Sequence, residues 1–139
     1  MKVTRFDHIT IAVQDLDAAI EAFTRGFNLK AKDRRQVKHL GMENVFLPME
    51  DGAIELAAPL KDPGSEEHVR RFLERRGEGM MNLCLAVEDI DAAVIHLERC
   101  GVRVFEHHDA DGDKIALIHP KDMHGVMIEL RRGRRLIRE

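Results

Sequence analysis

The sequence predicts an α+β fold in which two tandem βαβββ units form a cupped mixed sheet. Three observations predict it. The chain is written twice: residues 8–25, HITIAVQDLDAAIEAFTR, return at 82–99 as NLCLAVEDIDAAVIHLER, and Ile54-Glu55-Leu56 returns at the same spacing as Ile128-Glu129-Leu130. Within each copy the apolar period switches from strand-like alternation to helical spacing and back. The length of 139 residues, 44% hydrophobic and 34% charged, suits one globular domain and is too short for two large ones.

Each element follows from its residues. Phe6–Val13 alternates and is rich in β-formers, so it reads as a strand. Asp15 is placed to cap a helix whose apolar face is Leu16, Ala19, Ile20 and Phe23, with Gly26 marking its end. Strands are expected near 29–38, 42–49 and 53–58. Pro63-Gly64 is a turn signal, and Ser65 is expected to cap a short helix bearing Val69, Phe72 and Leu73. The second copy predicts a strand at about 80–87. Its helix starts at Asp89, carries Ile90, Ala93, Val94 and Leu97, and closes at Gly101. Strands near 102–107, 114–119 and 125–131 complete it. The expected organisation is a single domain over 1–139, with units at about 3–58 and 79–132 joined by a helical linker at 59–77.

Composition excludes several function classes. The net charge of −3 gives no general attraction to nucleic acid, and the absence of Trp and Tyr removes the usual base-stacking platforms. No apolar run approaches the roughly 18 residues that suggest a membrane span. MKVTRFDH lacks a signal-peptide pattern, so a cytoplasmic protein is expected. Two cysteines, Cys84 and Cys100, make neither a disulfide framework nor a zinc spacing.

Strand alternation then sorts the polar residues. Ile9, Ile11 and Val13 form the face that meets the helix, leaving His8, Thr10 and Ala12 opposite. The same reasoning leaves Asn82, Cys84 and Ala86; Ala53, Glu55 and Ala57; and Met127, Glu129 and Arg131 on the non-helix face. The repeat relates His8 to Asn82 and Glu55 to Glu129, and a pseudo-two-fold axis would bring all four into one concave sheet. Carboxylates on half-buried strands are costly unless paired or bound to a cation. Mixed N and O donors suit divalent Mn, Co, Ni, Fe or Zn.

Two βαβββ units with His on the first strand and Glu on the last resemble the vicinal oxygen chelate superfamily of glyoxalases, bleomycin-resistance proteins and dioxygenases. The resemblance covers nearly the whole chain. Within the superfamily, FDHITIAVQDLDAAI, VFLPMEDGAIELAAPL, FLERRGEGM and ALIHPKDMHGVMIEL are most similar to the methylmalonyl-CoA epimerase family. The resemblance implies a glyoxalase-like fold and metal ligands at His8, Glu55, Asn82 and Glu129. The third ligand is typically His in that family, and Asn82 stands in its place here. The family's acid/base Glu matches His39, with Glu43 nearby but not aligned. The implied reaction is proton transfer next to a thioester carbonyl. Glu129 and His39 would be the proton carriers, and a divalent metal would stabilise the developing negative charge. The implied partners are a small-molecule substrate such as an acyl-CoA and a second copy of the chain. Two other readings of the same fold are a lyase acting on a thiol hemithioacetal, as in glyoxalase I, and a non-catalytic small-molecule-binding protein.

Other residues are expected to be ordinary. His107, His108, Asp109 and Asp111 read as a solvated loop, since adjacent strand residues rarely chelate together. His68 and His96 read as surface residues, and Cys84 as a small buried one. His119-Pro120-Lys121 and His124-Gly125 border the last strand as a turn or a ligand loop. The basic run Arg131-Arg132-Gly133-Arg134-Arg135 reads as a solvated terminus.

Overall fold

The computed structural model describes residues 1–133, so Arg134 and Arg135 of the basic run lie outside the described residues. In chain order the elements are β1 (Val3–Ala12), α1 (Leu16–Phe27), β2 (Lys32–Val37), a 3-10 turn (Lys38–Leu40), β3 (Met42–Met49), β4 (Gly52–Pro59) and α2 (His68–Arg76). There follow β5 (Gly79–Val87), α3 (Ile90–Arg99), β6 (Val104–His108), β7 (Lys114–Ile118), a second 3-10 turn (Pro120–Met123) and β8 (Met127–Arg132). The class is α+β, with parallel and antiparallel strand pairs.

The chain divides into two compact units, and β1 contributes to both. The first unit runs from Ile9 to Met81 and has the strand order β2-β3-β4-β1. Its antiparallel β3–β4 ladder sets Phe46 opposite Glu55 and Val45 opposite Leu56. Val45, Leu47 and Leu56 pack under α1 through Val13 and Leu16. Ala12 and Ala57 meet Val69 and Leu73 of α2. Small residues on the strands let that helix seat closely, with the apolar face the sequence predicts for it.

The other unit joins Met1–His8 to the chain from Asn82 onward, in the order β1-β5-β8-β7-β6. Thr4 Oγ1 donates to the Ala86 carbonyl at 3.2 Å, and Glu88 N donates to the Lys2 carbonyl at 3.4 Å, tying the N-terminal strand to β5. β5 and β8 are parallel, with Cys84 opposite Glu129 and Ala86 opposite Arg131. The core here is Val87, Ala93, Val94, Leu97, Ala116, Ile118 and Leu130.

Both predicted aspartate caps form. Asp15 accepts from Ala18 N and Asp89 from Ala92 N, each at 3.1 Å. Several ends differ from expectation. Gly26 lies inside α1, which instead stops at Asn28 in the left-handed conformation, φ 55°; a short polar side chain tolerates that region. Ser65 does not cap α2: its hydroxyl donates to the His39 carbonyl, and Glu67 occupies the cap position. His107 and His108 end strand β6 rather than lying in a loop, and His68 is half-buried rather than superficial. Arg131 is not part of a solvated terminus. It is 5% exposed on β8 and pairs with Asp109. Asp109 also accepts from the backbone N of Asp111 and Asp113, so it closes the β6–β7 turn as well.

Candidate functional site

Three of the predicted residues, His8, Asn82 and Glu129, lie in the same unit. His8 is 1% exposed on β1. Its Nδ1 is 2.7 Å from Asp7 Oδ2 and its Nε2 is 3.3 Å from Glu129 Oε2. Asp7 is itself buried and forms a 2.7 Å ion pair with Arg5 through its other oxygen. Burial alone would push the Asp7 carboxyl up. The hydrogen bond to His8 and the charges of His8, Arg5 and Arg131 outweigh burial and leave it below its ordinary value. Asp7 is therefore an acceptor, and it selects the Nδ1–H form of the imidazole. Nε2 faces the Glu129 carboxylate, as an N–H donor when the ring is protonated and as a lone pair when it is neutral. Two acceptors facing each other are unfavourable until a proton or a cation lies between them.

Asn82 supplies a second sign of the same need. Its Oδ1 is buried and has no hydrogen-bond partner among the described residues. A buried carbonyl oxygen left without a donor costs roughly 1–3 kcal/mol. The donors near this face are thus an imidazole nitrogen, a carboxylate and an amide oxygen. That mixture fits a borderline divalent ion such as Mn, Fe, Co, Ni or Zn.

Cys84 and Arg131 frame this group. Cys84 is fully buried, and its sulfur with Asp7 and His8 donor atoms forms a group lying within 4.8 Å of one another. Burial pushes its thiol far up, Glu129's charge adds to this, and the contact with His8 opposes it only in part. Cys84 is therefore a neutral thiol. Burial likewise opposes the charge on Arg131, but the carboxylates of Glu129, Asp109 and Asp7 keep its guanidinium firmly protonated.

Glu55 and His39 lie in the unit Ile9–Met81. Glu55 is 8% exposed on β4. Thr10 Oγ1 donates to its Oε1 at 2.5 Å and Asn44 Nδ2 to its Oε2 at 2.7 Å, so both carboxylate oxygens are held by neutral donors. His39 sits in the first 3-10 turn with an exposed side chain, not on a strand. Its carbonyl accepts from Ser65 Oγ and Glu66 N, each at 3.0 Å. Gly64 lies against this turn so closely that a Cβ there would stand 2.5 Å from the Lys38 carbonyl oxygen. Glu43 binds Arg34 Nε at 2.7 Å, and the same guanidinium reaches Asp17 of α1, so Glu43 belongs to the helix-facing side of β3.

Sequence reasoning missed Asp7, Asn44 and the pairing of Arg131 with Asp109. Asp7 had a signal, since a carboxylate immediately precedes the predicted ligand in FDHIT. The alternation rule hid it, because it assigns neighbouring residues to opposite faces and ignores a side chain that bends back.

The chain matches the model of the glyoxalase/bleomycin resistance protein/dioxygenase superfamily over residues 7–118. The ethylmalonyl-CoA/methylmalonyl-CoA epimerase of Cereibacter sphaeroides is 31% identical over 133 residues, covering 92% of this chain and 97% of the relative. The crystal structure of methylmalonyl-CoA epimerase from Mycobacterium tuberculosis superimposes with a TM-score of 0.81 at 35% identity, covering 92% of this chain and 87% of that one. A variant of the Streptomyces coelicolor methylmalonyl-CoA epimerase in complex with 2-nitronate-propionyl-CoA superimposes with a TM-score of 0.82 at 29% identity, covering 93% and 96%. The fold is the glyoxalase-like fold of these epimerases, and the relatives support an epimerase/isomerase function. The chain belongs to the glyoxalase/bleomycin resistance protein/dioxygenase superfamily, and its homologues there include methylmalonyl-CoA epimerases.

Proposed function

We propose that this protein is a metal-dependent isomerase that inverts a carbon next to a thioester carbonyl, with an acyl-CoA of the methylmalonyl type as substrate. The observation that carries the proposal is the buried pair of His8 Nε2 and Glu129 Oε2, 3.3 Å apart, with Nδ1 already committed to Asp7. In this reading His8, Asn82 and Glu129 hold a divalent metal. The family resemblance adds Glu55 as a further ligand.

A bound divalent ion supplies Lewis-acid stabilisation of the charge that develops on the thioester oxygen. The chain's own residues do the rest. His8 is held in one ring orientation. Among the described residues Glu129 has no pair of neutral donors like those that hold Glu55, so while Oε2 faces His8 its other oxygen, Oε1, can take a proton and return it. His39 is the second proton carrier assigned by the resemblance. An imidazole can both accept and donate a proton, so a His in place of the family's Glu need not abolish acid–base chemistry. Burial of His8 and Asp7 keeps water from competing for the same donors. We expect the enzyme to work as a homodimer in the cytoplasm, and light scattering on the purified protein checks the first of these.

The test is solvent exchange. Metal-loaded protein incubated with methylmalonyl-CoA in D2O should place deuterium at the carbon next to the thioester, and elemental analysis should find about one divalent ion per chain. Tight binding of metal and thioester without any exchange would leave a sequestering protein and overturn the isomerase reading.

A further inference from the structure

We propose that Asp7 is a positioning residue for the metal site: its carboxylate accepts the His8 Nδ1–H and aims the Nε2 lone pair at the cation shared with Glu129. The inference rests on His8 being a ligand, as proposed above, and extends it to a residue with no assigned role.

The geometry carries the argument. A lone imidazole on a strand has two tautomers and can flip about its χ2 axis, so either nitrogen can point at a metal. Asp7 removes that freedom with a 2.7 Å contact made where both side chains are almost wholly buried. Asp7 donor atoms lie within 4.8 Å of those of His8 and Cys84, and its Oδ2 is already engaged by the imidazole. The other oxygen is 2.7 Å from Arg5 Nη2. The neutral Cys84 thiol packs beside the pair and offers no competing charge. Arg5 is about a third exposed, so it anchors the carboxylate without being essential to it. The unbroken series Arg5, Asp7, His8, Glu129 runs from the protein's edge to the proposed ligand set. A carboxylate behind a ligating histidine raises the basicity of the ring and is worth about 10–100-fold in metal affinity.

The experiment is calorimetric and optical titration of the full-length apoprotein with Co2+, with thermal unfolding measured alongside. Asp7→Ala should weaken Co2+ binding by about 10–100-fold and alter the visible absorption of the bound ion. Asp7→Asn should lie between it and the parent, because an amide oxygen still accepts from Nδ1–H but brings no charge. Asp7→Asn also carries the test if Asp7→Ala does not fold. A merely structural Asp7 would lower the unfolding temperature while leaving the affinity and spectrum of the folded protein unchanged, and that result overturns the inference. His8→Ala separates the two levels. If it abolishes Co2+ binding while Asp7→Ala and Asp7→Asn bind normally, the positioning role fails and the ligand reading stands. If His8→Ala binds Co2+ as well as the parent does, both fall.

Discussion

Glu55 and Glu129 are the same position in the two copies of the repeat, yet they live differently. Glu55 is gripped by a hydroxyl and an amide, Thr10 and Asn44. Matching the β3–β4 and β7–β8 registers at the two acids, the equivalent sites of the second copy are Cys84 and Ile115. A thiol is a poor donor and isoleucine is none, so Glu129 loses both clamps and faces His8 instead. Duplication copied the backbone and the acid, and the neighbours then decided the chemistry. A carboxylate held by two neutral donors is fixed in orientation. One facing an imidazole lone pair is poised to accept a cation or a proton.

Replacing the less restrained acid should have the largest effect. Glu129→Gln is expected to lower deuterium exchange by about 10²–10⁴-fold, the range for loss of a general acid–base group, and to lower metal content, with circular dichroism unchanged. Full retention of exchange and metal would remove Glu129 from the site.

Breaking the clamp on the other acid should read as stability first. Asn44→Ala leaves a buried Glu55 oxygen without its donor and is expected to cost about 1–3 kcal/mol in urea unfolding. Thr10→Val removes the other donor at nearly constant shape and should cost a similar amount. If both variants are as stable as the parent, the contrast between the two acids loses its physical basis.

The counterpart of Thr10 can be probed by its reactivity. Cys84 is buried with its thiol pushed up, whereas Cys100 is exposed. A disulfide reagent at pH 8 should therefore modify one thiol in the native protein and two in urea. Rapid labelling of both would mean that the environment around His8 opens readily.

The smallest effect concerns the 3-10 turn just before β8. Arg103 donates to Asp122 from its backbone N, Nε and Nη2, at 2.9, 3.1 and 3.0 Å. These bonds hold the half-buried Asp122 carboxyl at about 2, below its ordinary 3.8. The native state thus binds fewer protons than the unfolded chain between these values. The contribution is complete above about pH 4 and disappears as the pH falls toward 2. Arg103→Ala should flatten that part of the acid-unfolding curve while leaving deuterium exchange at neutral pH unchanged.

Much of this was legible in the residues. The repeat and the change of period located the strands and helices, β3 to the residue, because alternation and capping are local properties. The shared side of His8 and Glu129 followed from the same alternation. What escaped depends on side chains that bend or reach across strands. Arg131 reads as part of a basic tail until Asp109 is seen holding it, and that contact joins residues 22 apart. The turn bearing His39 is equally opaque, because its shape is set by Gly64 and Ser65 in the linker and not by its own sequence. Gly26 misled because a glycine near a helix end is a common stop signal, while Asn28 adopts the left-handed conformation here.

The division of β1 between the two units has a consequence for how the protein is made. Met1–His8 leaves the ribosome long before the rest of the unit it completes, which resumes only at Asn82. The opening segment must therefore wait, unpaired along that edge, while more than half of the chain is synthesised. Closing so long a loop makes this pairing a late, slow step, so His8 is translated well before it finds its surroundings.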